Sequence, residues 1–239
     1  MDEFGPYPGR AVMLTRLLSY RGLDADTADV RAVLDGVEPD PALVARLAPV
    51  VGLHTADLHA VLWTEVPEEL TPLDAGAART MRELVRDATE ASVADALAFA
   101  RSLPQHPRTP RDGFPPADRP IRPTLGGVLV RLLRNRNLDQ IGMARTLASL
   151  TPTYLSVSTY AMIGAGRAEL RPGWVADFAA VVDLDPGCLA ALTGFPVPDP
   201  LPARAPMTGA YAELLWEMRR LTADQVAEVH ALVRARAGR

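Results

Sequence analysis

The chain has 239 residues, of which 48% are apolar and 23% are charged, a balance typical of a globular protein with a packed core. All of its basic residues are arginine, which excludes P-loop NTPases, protein kinases and Schiff-base enzymes, because each needs a lysine. The single cysteine, Cys188, excludes an internal disulfide and any Cys-x-x-Cys zinc or redox site.

The net charge of −4 is distributed unevenly along the chain. Residues 1–75 contain 13 acidic residues and 5 arginines, whereas residues 119–171 contain 8 arginines and 2 acidic residues. Phosphate is attracted by a local positive patch rather than by the average charge. The basic block at 119–171 is therefore the first candidate for a nucleic-acid contact.

Targeting signals are not recognisable in the sequence. The first ten residues have no apolar stretch of the kind that signal peptides carry, and no apolar run approaches the length of a membrane span. We therefore expect a cytoplasmic protein with no membrane partner.

Helical periodicity dominates the first two thirds of the chain. Leu14, Leu17 and Leu18 have the i, i+3, i+4 spacing of an amphipathic helix, and a similar leucine stripe begins at Leu125. Residues 74–103 are alanine-rich and predict one long helix or two short ones. No segment alternates apolar and polar residues as a half-buried strand does.

Two proline-rich segments, 104–123 and 196–206, interrupt the helices. Proline lacks a backbone N–H and disfavours helix at the preceding residue, so both segments are predicted to be extended linkers. A final helical pair is expected over 208–237, where Thr222 and Gln225 have the spacing of a capping box.

An internal repeat connects the two halves of the chain. Seven residues of 14–24 recur at 129–139, and seven residues of 41–53 recur at 172–184. The offset rises from 115 to 131, so the second copy has 16 more residues in its middle. That is room for one additional helix and a turn.

These patterns predict an all-α fold with two related small helical domains, of which the first is a shortened, degenerate copy, together with connector and C-terminal helices. The predicted boundaries are 1–72 for the degenerate repeat, 73–103 for the connector, 104–123 for the first linker, 124–195 for the second helical domain, 196–206 for the second linker and 207–239 for the C-terminal pair.

The second domain carries a recognisable motif. An apolar helix ends in an arginine-rich turn, a second helix begins at Leu138-Asp139-Gln140, a third begins at Ser156-Val157-Ser158, a turn contains Gly166-Arg167, and two closing helices end at Gly194. Residues 124–194 thereby resemble the phage repressor/Cro helix-turn-helix family, also called the xenobiotic-response-element family.

The resemblance implies a transcriptional regulator whose third helix enters the major groove of double-stranded DNA, as a homodimer spanning two half-sites. Asp139 and Ser156 fit as the N-caps of the second and third helices. The expected base contacts are Val157, Ser158, Thr159 and Met162. The expected phosphate contacts are Arg134, Arg136, Gln140, Arg145, Arg167 and Arg171.

An alternative interpretation is a protein-interaction module that kept the fold and lost DNA binding. The third helix carries no charged residue, Gly164 stands where the family usually has Glu, and the turn at 150–155 is longer than the family's turn. The acidic first copy is predicted to serve in folding, dimerisation or binding of a protein partner, or to mask the basic copy within the same chain.

No catalytic signature is present. The histidines, His54, His59, His106 and His230, are predicted to be surface residues, and Cys188 is predicted to be a buried structural thiol. The sequence therefore predicts a protein that is not an enzyme and has no metal or cofactor site.

Overall fold

The computed structural model describes residues 6–108 and 121–238, and within these ranges all regular secondary structure is helical apart from one isolated bridge, between Pro6 and Thr124. The all-α prediction is confirmed. Residues 109–120, the larger part of the predicted linker 104–123, lie outside the described residues.

The N-terminal unit consists of four helices, α1 (Arg10–Arg21), α2 (Ala28–Leu34), α3 (Pro41–Val51) and α4 (Thr55–Val61). Helix α2 packs against α1 and α3, and α3 packs against α4. Two short 3-10 turns, Glu68–Leu70 and Ala75–Ala77, lead out of this unit.

The connector forms two helices, α5 (Ala78–Asp87) and α6 (Glu90–Ser102). The break between them coincides with a capping box, in which Thr89 and Ser92 satisfy each other's backbone N–H groups. Of the two sequence-based alternatives for this region, two short helices are therefore observed.

The C-terminal unit has five helices: α7 (Leu125–Asn135), α8 (Gln140–Leu150), α9 (Val157–Gly164), α10 (Pro172–Val181) and α11 (Pro186–Thr193). In the N-terminal unit one helix, α2, stands between α1 and α3, and in the C-terminal unit two helices, α8 and α9, stand between α7 and α10.

The last two helices are α12 (Thr208–Met218) and α13 (Ala223–Arg236). The capping box predicted at Thr222 and Gln225 is confirmed. Both helices pack against the connector, since α12 contacts α6 and α13 contacts both α5 and α6. The proline-rich segment before α12 has no helix but is held on the C-terminal unit, where the Ala205 N–H donates to the Leu150 carbonyl over 2.9 Å.

The described units share one contiguous apolar core. Helix α1 packs against α11, α4 packs against α7, and α5 packs against α8. Cys188 is buried in this core, as predicted, and Phe178 is fully buried there as well. His59 is also buried, so the prediction of a surface position was wrong for this residue; its Nδ1 lies 2.8 Å from the Thr64 hydroxyl.

Backbone conformation follows the sequence repeat at three positions. Among the described residues, three that are not glycine have a positive φ, namely Trp63, Asn137 and Asp183, with φ of 54°, 58° and 55°. The repeat offsets align them with glycines that are also left-handed. These glycines are Gly194, Gly22 and Gly52, with φ of 79°, 65° and 66°.

No helix in the described part of the chain is both long enough and apolar enough to span a bilayer.

Candidate nucleic-acid interface

The α8–turn–α9 segment is built from local capping and long-range anchors. Asp139 caps α8 as predicted, accepting a hydrogen bond from the Gly142 N–H over 2.8 Å. The long turn is fixed at two points: the Thr153 hydroxyl donates to Asp177 over 2.7 Å, and the Thr208 hydroxyl donates to the Leu150 carbonyl over 2.9 Å. The turn is therefore attached to α10 and α12.

Helix α9 lies against α7 at close range. A side chain at Gly126 would place its Cβ 2.4 Å from the Ile163 carbonyl oxygen, so only glycine permits this approach. Tyr160 and Ile163 point into the core and are fully buried. Burying this face fixes which residues of α9 are presented to solvent.

Three of the four predicted base-contacting residues, Val157, Ser158 and Met162, are exposed, and Thr159 is half-buried. The Ser156 hydroxyl stands at the N-cap position but caps no backbone N–H; it lies 2.9 Å from the hydroxyls of both Ser158 and Thr159. The first turn of α9 thus presents a row of hydroxyl groups to solvent.

Sequence reasoning missed Tyr154, which lies at the tip of the turn just before α9 and has 85% of its surface exposed. Its position within an unusually long turn was the available signal, because a large aromatic residue on a loop has no core to fill. We define the α9 surface as Tyr154, Val157, Ser158, Thr159 and Met162.

Two predicted phosphate contacts, Arg167 and Arg171, are exposed, and Arg134 is half-buried, with burial lowering the pKa of its guanidinium. Arg122, which falls within the predicted first linker, is also exposed; its backbone N–H donates to the Gly164 carbonyl over 2.8 Å. Arg167 is anchored nearby, since its N–H donates to the Met162 carbonyl over 2.8 Å. None of these arginines has an acidic partner within the described ranges.

The prediction that Arg136 contacts phosphate was wrong. The side chain is fully buried, forms an ion pair with Asp57 and donates to the Val182 carbonyl. Asp57 is fully buried as well and belongs to α4 of the N-terminal unit. Arg136 is therefore a structural group that joins the two units rather than a surface cation.

Helix α5 partly neutralises the start of α8. Arg82 pairs with Asp139, and Arg145 approaches Glu83, with Nη1 2.5 Å from Oε1. The hydrogen bond from Arg145 is the main reason that the pKa of Glu83 is lowered. Gln140 lies half-buried in the same region. Arg145 is exposed but compensated, so its contribution to a positive surface is smaller than the sequence suggested.

No family model, curated protein or solved structure gives a significant match to this chain. The helix-turn-helix resemblance therefore depends on the motif residues of 124–194 alone.

Proposed function

We propose that this protein is a DNA-binding transcriptional regulator that contacts double-stranded DNA through the α9 surface. The observation that carries the proposal is an exposed, hydroxyl-rich start of α9 together with arginines near its other end that have no acidic partner among the residues the structure describes. Two of these, Arg122 and Arg167, are tied by backbone hydrogen bonds to the last residues of α9. Cations held beside an exposed helix face are suited to the phosphates that border a groove.

The character of the α9 surface suggests weak base discrimination. Ser158 and Thr159 can exchange hydrogen bonds with several base edges, and Val157 is suited to a thymine methyl group. The helix contains no Arg, Asn or Gln, the residues that make bidentate contacts to guanine or adenine. We therefore expect phosphate contacts to supply most of the affinity and the binding to depend steeply on salt.

The test is a fluorescence-anisotropy titration of a labelled random 30-base-pair duplex at about 50 and 200 mM salt. We expect affinity to fall steeply between the two conditions for the wild-type chain. The Arg167→Ala/Arg171→Ala variant is expected to bind less tightly and with a shallower salt dependence. Absence of binding at the lower salt would refute the proposal.

The matched control is Arg31→Ala/Arg46→Ala, which removes the same charge from exposed positions of the N-terminal unit. This variant should bind DNA as the wild type does. Equal losses in both double variants would show that net charge, and not the α9 surface, sets the affinity.

We further propose that α1, α3 and α4 are copies of α7, α10 and α11. Support comes from the sequence repeat and from the three pairs of aligned left-handed residues. A hydrogen bond is also repeated: Arg21 donates to the Val51 carbonyl, and the aligned Arg136 donates to the Val182 carbonyl. Residues 51 and 182 correspond by the second offset.

A protein-interaction role is the second candidate, favoured by the apolar part of the α9 surface. Tyr154, Val157 and Met162 are all exposed, and exposed apolar groups on a rigid element are typical of a protein contact. A partner held by these groups would bind with little salt dependence, which separates this function from DNA binding in the same titration. The acidic N-terminal unit stays a predicted site for such a partner.

A further inference from the structure

The two helical units are joined by two helix–helix contacts of the same kind. Helix α1 packs against α11, and α7 packs against α4. In the proposed repeat, α1 corresponds to α7 and α4 corresponds to α11. Each unit therefore places its first helix on the last helix of the other, which is the arrangement of an isologous dimer interface.

Hydrogen bonds across the interface repeat this exchange at one end of the closing helices. Arg16 donates to the Leu192 carbonyl near the end of α11, over 2.7 Å, and the aligned Arg131 donates to the Thr64 carbonyl just after α4. Residues 16 and 131 correspond by the offset of 115. The two arginines therefore bind carbonyl groups at the C-terminal end of the other unit's last helix, in α11, or shortly beyond it, after α4.

The other end of each closing helix is bound by a second aligned pair. The Tyr20 hydroxyl donates to Asp185, the N-cap of α11, over 2.5 Å, and the Asn135 amide donates to the Ala56 carbonyl in the first turn of α4 over 2.7 Å. Residues 20 and 135 also correspond by the offset of 115. The side chains differ, but both donate a hydrogen bond to the start of the other unit's last helix.

We infer that the chain is a covalent pseudo-dimer in which the N-terminal unit occupies the face through which a second copy of the C-terminal unit would pair. The N-terminal unit has no counterpart of α9 among its four helices. Each chain would therefore present a single helix, α9, to the major groove of DNA. The DNA part of this inference rests on the proposed function. The pseudo-dimer predicts a monomer in place of the homodimer expected from the sequence. Its preferred DNA site would be one asymmetric sequence rather than two half-sites.

The pairing face is not left free for a second molecule. Leu14, Leu17, Leu129 and Leu132, on the first helices, are fully buried, as are Leu58 and Leu189 on the last helices. Asp57 of α4 and Arg136 at the end of α7 also form an ion pair between the units that is inaccessible to solvent. A second chain would have to displace these contacts before it could pair through the same surfaces.

The experiment uses the full-length chain in two steps. Sedimentation velocity from about 1 to 100 μM, spanning the range of weak association, is expected to give a concentration-independent mass of 25.7 kDa. Selection from a random duplex library should then yield one non-palindromic block, bound by one chain per duplex. A pair of α9 helices would instead select an inverted repeat with half-site centres about 10 base pairs apart.

The outcomes separate the two proposals. A reversible dimer in solution, or two chains on an inverted repeat, would overturn the pseudo-dimer. A monomer with no DNA affinity would refute the proposed function while supporting the pseudo-dimer. A monomer that binds an asymmetric site one to one would support both.

Discussion

In the proposed repeat, α1, α3 and α4 of the N-terminal unit correspond to α7, α10 and α11 of the C-terminal unit, and the two units differ in the segment between the first helix and the two closing helices. The N-terminal unit places the single short helix α2 there and has an acidic sequence. The C-terminal unit places α8 and α9 there and carries arginines, Arg167 and Arg171, for which no acidic partner is found in the described part of the chain. If the proposed function is correct, the first and closing helices serve as a scaffold and the segment between them sets what each unit can bind.

The largest expected effect on stability contrasts two arginines that the sequence repeat aligns, Arg136 and Arg21. Arg136→Ala would leave Asp57 as an uncompensated buried charge, at a cost of about 3–5 kcal/mol in the free energy of unfolding. Arg21→Ala removes hydrogen bonds to carbonyls at the surface and should cost about 1 kcal/mol or less. Denaturant unfolding measures both, and comparable losses would contradict the division into a buried and an exposed arginine.

The second-largest expected effect is on DNA affinity, which should depend on arginines of the C-terminal unit and not on those of the N-terminal unit. Arg167→Ala/Arg171→Ala is expected to weaken binding roughly tenfold at 50 mM salt and to reduce the salt slope by about 1 for each phosphate that is no longer neutralised. Arg31→Ala/Arg46→Ala in the N-terminal unit should leave both quantities unchanged. Anisotropy titrations at several salt concentrations provide the comparison, and a larger effect from the N-terminal variant would reverse the assignment.

The aligned left-handed residues allow a sharper test of the repeat. Gly22 has a φ of 65° and nothing near its Cβ position, so a substitution there meets only backbone strain. Gly22→Ala should destabilise the protein by about 1 kcal/mol, and Gly22→Asn should cost less, because asparagine tolerates this conformation. Asn137 already occupies the aligned position. Thermal unfolding in which Asn costs as much as Ala would weigh against the correspondence.

The smallest expected effect is on the pH dependence of stability, at the contact between the N-terminal unit and α12. The His54 ring stacks on Trp216 with centroids 3.7 Å apart, and burial, with a contribution from nearby Arg136 and Arg219, lowers the pKa of this histidine. The unfolded chain therefore takes up the proton first, and stability falls as the pH drops below about 6.5.

His54→Phe keeps a stacked ring and removes the titrating group. Urea unfolding at pH 7.5 and 5.5 should show a smaller loss for this variant than for the wild type. The difference should stay below about 1 kcal/mol, because the site is partly open to solvent. If the variant and the wild type lose the same unfolding free energy between the two pH values, the pH dependence belongs to other groups. One of these is His59, whose pKa is also lowered by burial.

Helical periodicity and capping residues were sufficient to predict the fold class and many helix positions. Asp139, Thr222 and Gln225 act within their own turns, so their roles could be read locally. Arg136 could not be placed in this way, because its partner Asp57 is 79 positions away in another unit. A sum of charges along residues 119–171 treats every arginine as exposed and unpaired. The sum therefore overestimates the positive charge at the surface, because Arg136 is buried and Arg145 is paired with Glu83.

The candidate site was predictable to a similar degree. The exposure of Val157, Ser158 and Met162 follows from the buried face that Tyr160 and Ile163 define on the same helix. The compensation of Arg145 by Glu83 was not predictable, because nothing in the sequence indicates that α5 packs on α8. Tyr154 was missed because loop residues have no periodicity that distinguishes inside from outside.

Hydrogen–deuterium exchange with and without a saturating duplex at low salt compares the two units in a single experiment. We expect slower exchange in peptides that cover 151–172, which include α9 and its flanking arginines, and no change in peptides that cover 23–41, which include α2. Protection of 23–41, or unchanged exchange at 151–172 with the duplex bound, would contradict the assignment of DNA binding to the C-terminal unit.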